Sequence, residues 1–295
     1  WILGAALVAG YGVYQYVIKQ DLIVTAEGVA RIRSVYGSPN NVGLYLGRAL
    51  PLGLALLTVG LVGIRRRRTA SRAALGGLAA LGVALGLIAV ALVLSFSRGA
   101  LVLGLPFAFA ILLIAWQGRR GALAVGGVIV VALIALPILL QFPRFATMFD
   151  VQSGTSFIRI NLWISAWRMF LDHPWLGVGP DNFLYAYRSF YILPDAWRDP
   201  NLSHPHNLVM DFLSRLGMPG LFIGLTMLIG FWALAWRQAT RRRSAGDAIG
   251  FALTVGLMGA IADMIGHGLV DHSFFLVDLA GVFMIAAALV QKSDE

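Results

Sequence analysis

Four of the five histidines fall in two short strings, His204-Pro205-His206-Asn207 and His267-Gly268-Leu269-Val270-Asp271-His272. A neutral imidazole accepts a proton near neutral pH, so His206 is a candidate general base for deprotonating a hydroxyl. A histidine just before an apolar run could instead hydrogen-bond at the start of a helix, although Asn207 is the better cap. Two histidines flanking one residue also raise metal binding. The chain has no cysteine and no acidic ligand at a usual spacing from the pair, which counts against a metal. The second string offers another imidazole and carboxylate set.

Two arginines stand apart from the basic runs. Arg98 lies in Ser95-Phe96-Ser97-Arg98-Gly99, between two apolar segments. A charge at membrane depth is costly, so such a residue is a functional candidate by default, the alternative being an arginine that snorkels to lipid phosphates. The small residues around Arg98 let a large anionic ligand approach closely, which favours function. Arg159 opens Arg159-Ile160-Asn161-Leu162-Trp163, after which Trp163, Trp167 and Phe170 recur at helical spacing. That pattern predicts a helix lying at the membrane interface, with Arg159 near its start, where a helix N-terminus and a guanidinium could together hold a phosphate. A solvated charge on an interfacial helix is the other reading. Between these strings runs Asp172-His173-Pro174-Trp175-Leu176-Gly177-Val178-Gly179-Pro180-Asp181-Asn182-Phe183, followed by Tyr185, Tyr187, Phe190 and Tyr191. Glycine and proline punctuate a tight loop there, and the aromatic faces suit either sugar stacking or a membrane belt.

The elements that must position these residues are membrane helices. The 295-residue chain is 59% hydrophobic and 13% charged, with a mean hydropathy of +0.79, far more apolar than a soluble domain. Its net charge of +9 does not indicate nucleic acid, because Lys and Arg sit between apolar segments and not in a stripe on a water-facing surface. A bilayer core of about 30 Å takes roughly 20 apolar residues per crossing, and about eight such segments follow one another. They run approximately over 1–18, 41–64, 73–94, 99–116, 122–141, 207–236, 248–266 and 273–290. The fold class expected is an all-α polytopic membrane protein, a single integral membrane domain over 1–295 with one large loop at 142–206. The opening directly on an apolar run, without Met or a basic leader, suggests an N-terminally trimmed chain. Arg65–Arg68 with Arg72, Arg119 with Arg120, Arg237 with Arg241–Arg243, and Lys292 fall on one side, the expected cytoplasmic one. The large loop and the two short polar turns then face outward. No internal repeat of fixed period marks an inverted-repeat transporter.

These elements, in this order, resemble the O-antigen ligase and O-antigen polymerase family of bacterial envelope proteins. The resemblance runs from about Arg31 to Phe222. It rests on Arg31 before Ser38-Pro39-Asn40-Asn41, Ser97-Arg98-Gly99 at a helix break, and Arg159 before Leu162-Trp163. It continues through His173 to Phe183, His204 to Asn207 and Gly217 to Gly220. The resemblance implies a fold similar to multi-helix membrane glycosyltransferases in the bacterial inner (plasma) membrane, with the active site facing the periplasm. It implies transfer of a glycan from an undecaprenyl pyrophosphate-linked donor to a glycan or glycolipid acceptor, with no metal and no other cofactor, and with inversion. His206 would be the base, and Arg98 and Arg159, with Arg31 and Arg33, would hold the pyrophosphate. Asn41, His204, Asn207, Trp163 and Asn182 would line the substrate site. The same motifs serve ligases, polymerases and protein O-oligosaccharyltransferases. Outside that class a polysaccharide or lipid transporter remains, for which acidic residues buried in helices would speak, with Asp263 near an outer end and Asp278 deeper.

Overall fold

A computed structural model describes residues 1–24, 28–67, 71–139, 141, 154–197 and 200–291. Arg68, Lys292 and the 142–153 stretch of the expected loop lie outside the described residues. The chain is helical almost throughout: α1 (Ile2–Ile18), α2 (Pro39–Arg67), α3 (Arg72–Ser95), α4 (Leu105–Gln117), α5 (Arg119–Leu139), α6 (Gly154–Asp172), α7 (Phe183–Ala186), α8 (Leu208–Ser244), α9 (Ala248–Gly268) and α10 (Val277–Gln291). A two-residue antiparallel pairing, Ile23 with Arg31 and Val24 with Ala30, is the sheet found among the described residues.

Among the described residues, six helical segments are long and apolar enough to cross a membrane: Pro39–Arg66, Arg72–Ser95, Gly99–Gln117, Arg119–Ile138, Leu208–Ser244 and Ala248–Gly268. The apolar helices Ile2–Ile18 and Val277–Gln291 are shorter, and with them the expected segments are accounted for. This bears out the all-α polytopic class.

The chain divides into two compact units. The first comprises Trp1–Gly118, Phe231–His267 and Leu276–Glu295, the second Arg119–Gly230 and Gly268–Phe275. In the first, α1, α2 and α3 share a core built on Ala5, Ala9, Ile32, Val42, Leu46, Ile88 and Leu92. α3 ends where Phe96 adopts a left-handed conformation (φ 47°), and a π-helix over Gly99–Gly104 leads into α4. Short residues around Arg98 thus mark a real break in the helical ladder. Arg243 near the end of α8 donates to the carbonyls of Ala115 (3.0 Å) and Trp116 (3.3 Å) at the end of α4. Cationic side chains there satisfy carbonyls that a helix terminus leaves free.

The acidic residues of this unit differ from expectation. Asp263 is fully buried within α9, whereas Asp278 is exposed in the first turn of α10, where its carboxylate accepts from the Tyr36 hydroxyl (2.9 Å). Arg48, fully buried on α2, donates to the Leu279 carbonyl at 2.9 Å.

In the second unit Leu162, Ala166 and Met169 of α6 pack on Phe183 and Tyr187. The Ser165 hydroxyl donates to the Tyr191 carbonyl (2.7 Å) and the Tyr191 hydroxyl to Asp172 (2.9 Å), so the aromatic run folds back along α6. α6 begins at Gly154, more than one turn before Arg159. Arg159 therefore cannot draw on the free N–H groups of a helix start, which lie in the first turn. The expected helix-terminus contribution at this arginine is corrected to a guanidinium on the side of α6.

Candidate active site

The site in the second unit is built on a flaw in α8. Gly217 takes φ 67°, and Pro219, two residues later, has no N–H to give the Arg215 carbonyl. The Met218 N–H turns away to the Pro174 carbonyl (2.8 Å), which frees the Ser214 carbonyl as well. The glycine-rich loop takes up both: Val178 N–H donates to Ser214 O (2.8 Å) and Gly179 N–H to Arg215 O (3.0 Å). Two backbones meet here so closely that a Cβ at Gly177 (φ 63°) would strike Arg215 and Leu216, and one at Gly217 would strike Pro174 and Trp175. The motif residues Gly177, Gly179 and Gly217–Gly220 thus fasten the loop to the helix.

Arg215 completes the clasp. Its guanidinium donates to Asp211 (2.6 Å), to the Ser203 carbonyl (2.7 Å) and to the Pro180 carbonyl, and lies over the rings of Phe183 and Phe275. Asp211, fully buried, is one turn back on α8, and its other oxygen meets His272 Nδ1 at 2.5 Å. Neither Asp211 nor Arg215 was expected as a site residue. Their signal was present, since an acidic and a basic residue four apart near a helix start face each other.

The two histidine strings converge on this frame. Asn207 caps α8 as expected: its side-chain oxygen accepts from the N–H groups of Val209 (3.0 Å) and Met210 (3.1 Å), and its amide donates to the Leu269 carbonyl (2.9 Å). That last bond ties the 267–272 turn to the start of α8. His206 Nδ1 then lies 2.9 Å from Asp271 Oδ1, and His204 Nε2 lies 3.8 Å from the same oxygen. The rings of His204 and His206 are 4.2 Å apart, those of His204 and His272 4.4 Å. His206 sits at φ 52°, a conformation unusual for a residue other than glycine and common at functional sites. Burial, and then its neighbours His206 and His272, hold His204 well below the usual imidazole range. The acidic partner missing from the sequence spacing is thus Asp271, 65 residues from His206.

A carboxylate on Nδ1 fixes the proton there and leaves the Nε2 lone pair to accept another. His206 with Asp271 is arranged for general-base work; His272 makes the same Nδ1 contact with Asp211 but its side chain is more buried, 7% exposed against 19% for His206.

The other expected residues are distributed as follows. Trp163 points its indole N–H into the interior of the second unit without a hydrogen-bond partner among the described residues. Asn182 donates to the Val178 carbonyl (2.9 Å) and supports the loop. Arg159 is half-buried on α6. In the first unit Arg98 is exposed between the buried residues Ser97 and Gly99. Arg31 donates to the Ser95 carbonyl (2.8 Å) and to Asn40 (2.9 Å), and His267 Nε2 lies 3.4 Å from the Ser97 hydroxyl, so both hold the break that carries Arg98. Arg33 pairs with Asp21 at 3.4 Å on the surface. Asn41, half-buried, lies in the first turn of α2 with its N–H on the Ser38 carbonyl (3.1 Å).

A family model described as O-antigen ligase matches residues 83–225. An O-antigen ligase of Pseudomonas aeruginosa is 29% identical over 194 residues, which cover 66% of this chain and 42% of that protein. The chain therefore spans less than half the length of that relative. Arg98, Arg159, His204, His206 and the Asp211–Arg215 pair fall inside the region matched by the family model, and Asp271 falls beyond it.

Proposed function

We propose, on the premise of the O-antigen ligase family that both matches support, that this chain is a membrane glycosyltransferase. It moves a glycan from an undecaprenyl pyrophosphate donor to a sugar hydroxyl at the outer face of the bacterial inner membrane. The observation that carries the reading is the contact between His206 Nδ1 and Asp271 Oδ1 at 2.9 Å.

The chemistry follows from that pair. Nε2 of His206 takes the proton from the acceptor hydroxyl as its oxygen bonds to the anomeric carbon. The bond between that carbon and the pyrophosphate oxygen breaks, and the electron pair leaves with the lipid pyrophosphate. Attack from the face opposite the leaving group inverts the anomeric configuration. Arg159 stabilises the growing negative charge, and Arg98 keeps the role that the resemblance gives it, because guanidinium groups can do in a metal-free site what a cation does elsewhere. Asp271 stabilises the imidazolium that forms and acts through His206.

The test is an assay of purified protein with a pyrophosphate-linked glycan donor and a panel of acceptors: lipid-anchored core glycan, a second donor-type glycan, and a hydroxyl-bearing peptide. A product on the first acceptor alone supports ligation. A product on the second makes the chain a polymerase, one on the peptide a protein glycosyltransferase, and none on any acceptor removes the transferase reading.

A further inference from the structure

We propose that His204, His206 and Asp271 bind one divalent transition-metal ion of the zinc class, and that an ion held there silences His206 as a base. The second clause rests on the transferase reading above; the first does not.

One ligand atom from each of the three residues lies within 4.8 Å of the other two. Tetrahedral zinc holds nitrogen and oxygen at about 2.0–2.2 Å, which sets its ligand atoms about 3.3 Å apart. The observed separations from Asp271 Oδ1, 2.9 Å to His206 Nδ1 and 3.8 Å to His204 Nε2, lie on either side of that spacing. The third separation, between the two imidazoles, is at most 4.8 Å, so the shell closes with shifts of up to about 1.5 Å. Two imidazoles and one carboxylate suit zinc better than magnesium or calcium, and leave a fourth position for water.

Two further contacts resemble the outer support of a metal site. The Nδ1 atom of His204 lies 3.1 Å from the Ser203 hydroxyl, which leaves Nε2 turned towards Asp271. Asp271 Oδ1 accepts from the His272 backbone N–H at 2.8 Å. Such bonds fix ring orientation and carboxylate direction before an ion arrives. The histidine side chains are 21% and 19% exposed, so an ion can reach them, and the nearby cation Arg215 is matched by Asp211 at 2.6 Å.

The consequence for catalysis follows from the ring. A neutral imidazole has one N–H. With a metal on Nδ1, the proton moves to Nε2, the atom that must accept the acceptor's proton. Metal at this site and base catalysis by His206 therefore exclude each other.

The experiment titrates the purified full chain in nanodiscs with ZnCl2 by calorimetry, and with Co2+ by visible absorption. One ion per chain with a tetrahedral cobalt spectrum is expected. His204→Phe, which keeps a ring against His206 and His272 but removes the ligand, and Asp271→Asn should each weaken binding by about tenfold or more. His173→Ala, in the same unit, should leave it unchanged. No saturable binding, or binding that survives both ligand variants, overturns the site. In the transfer assay Zn2+ should abolish turnover over the range in which it binds, with recovery on chelation. Full turnover at zinc saturation overturns the silencing. A preparation that transfers no glycan under any condition defeats the transferase reading, and the metal titrations still decide the site.

Discussion

Asp271 places its carboxylate 2.9 Å from Nδ1 of His206 across 65 residues of sequence, and the two together define which imidazole nitrogen is free. Asp271→Asn can present an N–H to Nδ1 and favour the wrong tautomer. Turnover should fall about 100- to 10,000-fold, as should that of His206→Ala, while donor affinity stays close to normal. Parallel measurement of kcat and donor Kd checks this. A variant whose Kd rises in step with its loss of kcat would show that the pair binds donor.

Arg98 and Arg159 should not tolerate lysine. The ammonium keeps the charge but loses the planar fork that grips phosphate oxygens in pairs. Each Arg→Lys variant should weaken donor binding and slow transfer by roughly tenfold or more, about 1.4 kcal/mol per tenfold. Near-normal Kd and kcat in both would remove the phosphate-holding role.

Stability should depend on pH through His204. Burial lowers its folded-state pKa, so the unfolded chain binds the extra proton first. The stabilisation is present above the ordinary imidazole value of 6.5 and is lost as pH falls towards the depressed folded value. Unfolding temperature should drop between about pH 7.5 and 5.5. His204→Phe should flatten that dependence, and an unchanged slope would assign it to other groups.

Arg215 should matter to the loop more than to chemistry. Its removal leaves Asp211 buried with only His272, and breaking a buried pair costs about 3–5 kcal/mol. Arg215→Leu should lower the unfolding temperature and expose the 173–183 loop to protease.

Gly177→Ala should be the sharpest structural probe. Its left-handed φ of 63° and the backbone of Arg215 and Leu216 leave no room for a methyl group. Beyond the roughly 1 kcal/mol of conformational strain, the loop must lift off α8. Transfer should fall while the helix content by circular dichroism is unchanged. Wild-type rates would mean that the clasp is dispensable.

The membrane class, the approximate spans and the break around Arg98 were legible in the sequence because each is a local property: runs of apolar residues long enough to cross lipid, and short residues that end a helix. Asn207 as a cap was legible for the same reason, since the N–H groups it caps belong to Val209 and Met210, two and three residues on. The start of α6 was not, because Ser153, Thr155 and Ser156 are all of capping type and their order alone does not choose among them, and the helix reaches back to Gly154. Nor did the linear order reveal which carboxylate serves which histidine. Asp271 and Asp211 reach His206 and His272 across 65 and 61 residues, through a turn tied to the start of α8 and a loop fastened to carbonyls that Gly217 and Pro219 release. Backbone bonds of that kind depend on where a helical ladder fails and what chain lies beside it. Only the folded chain puts those two facts in one place.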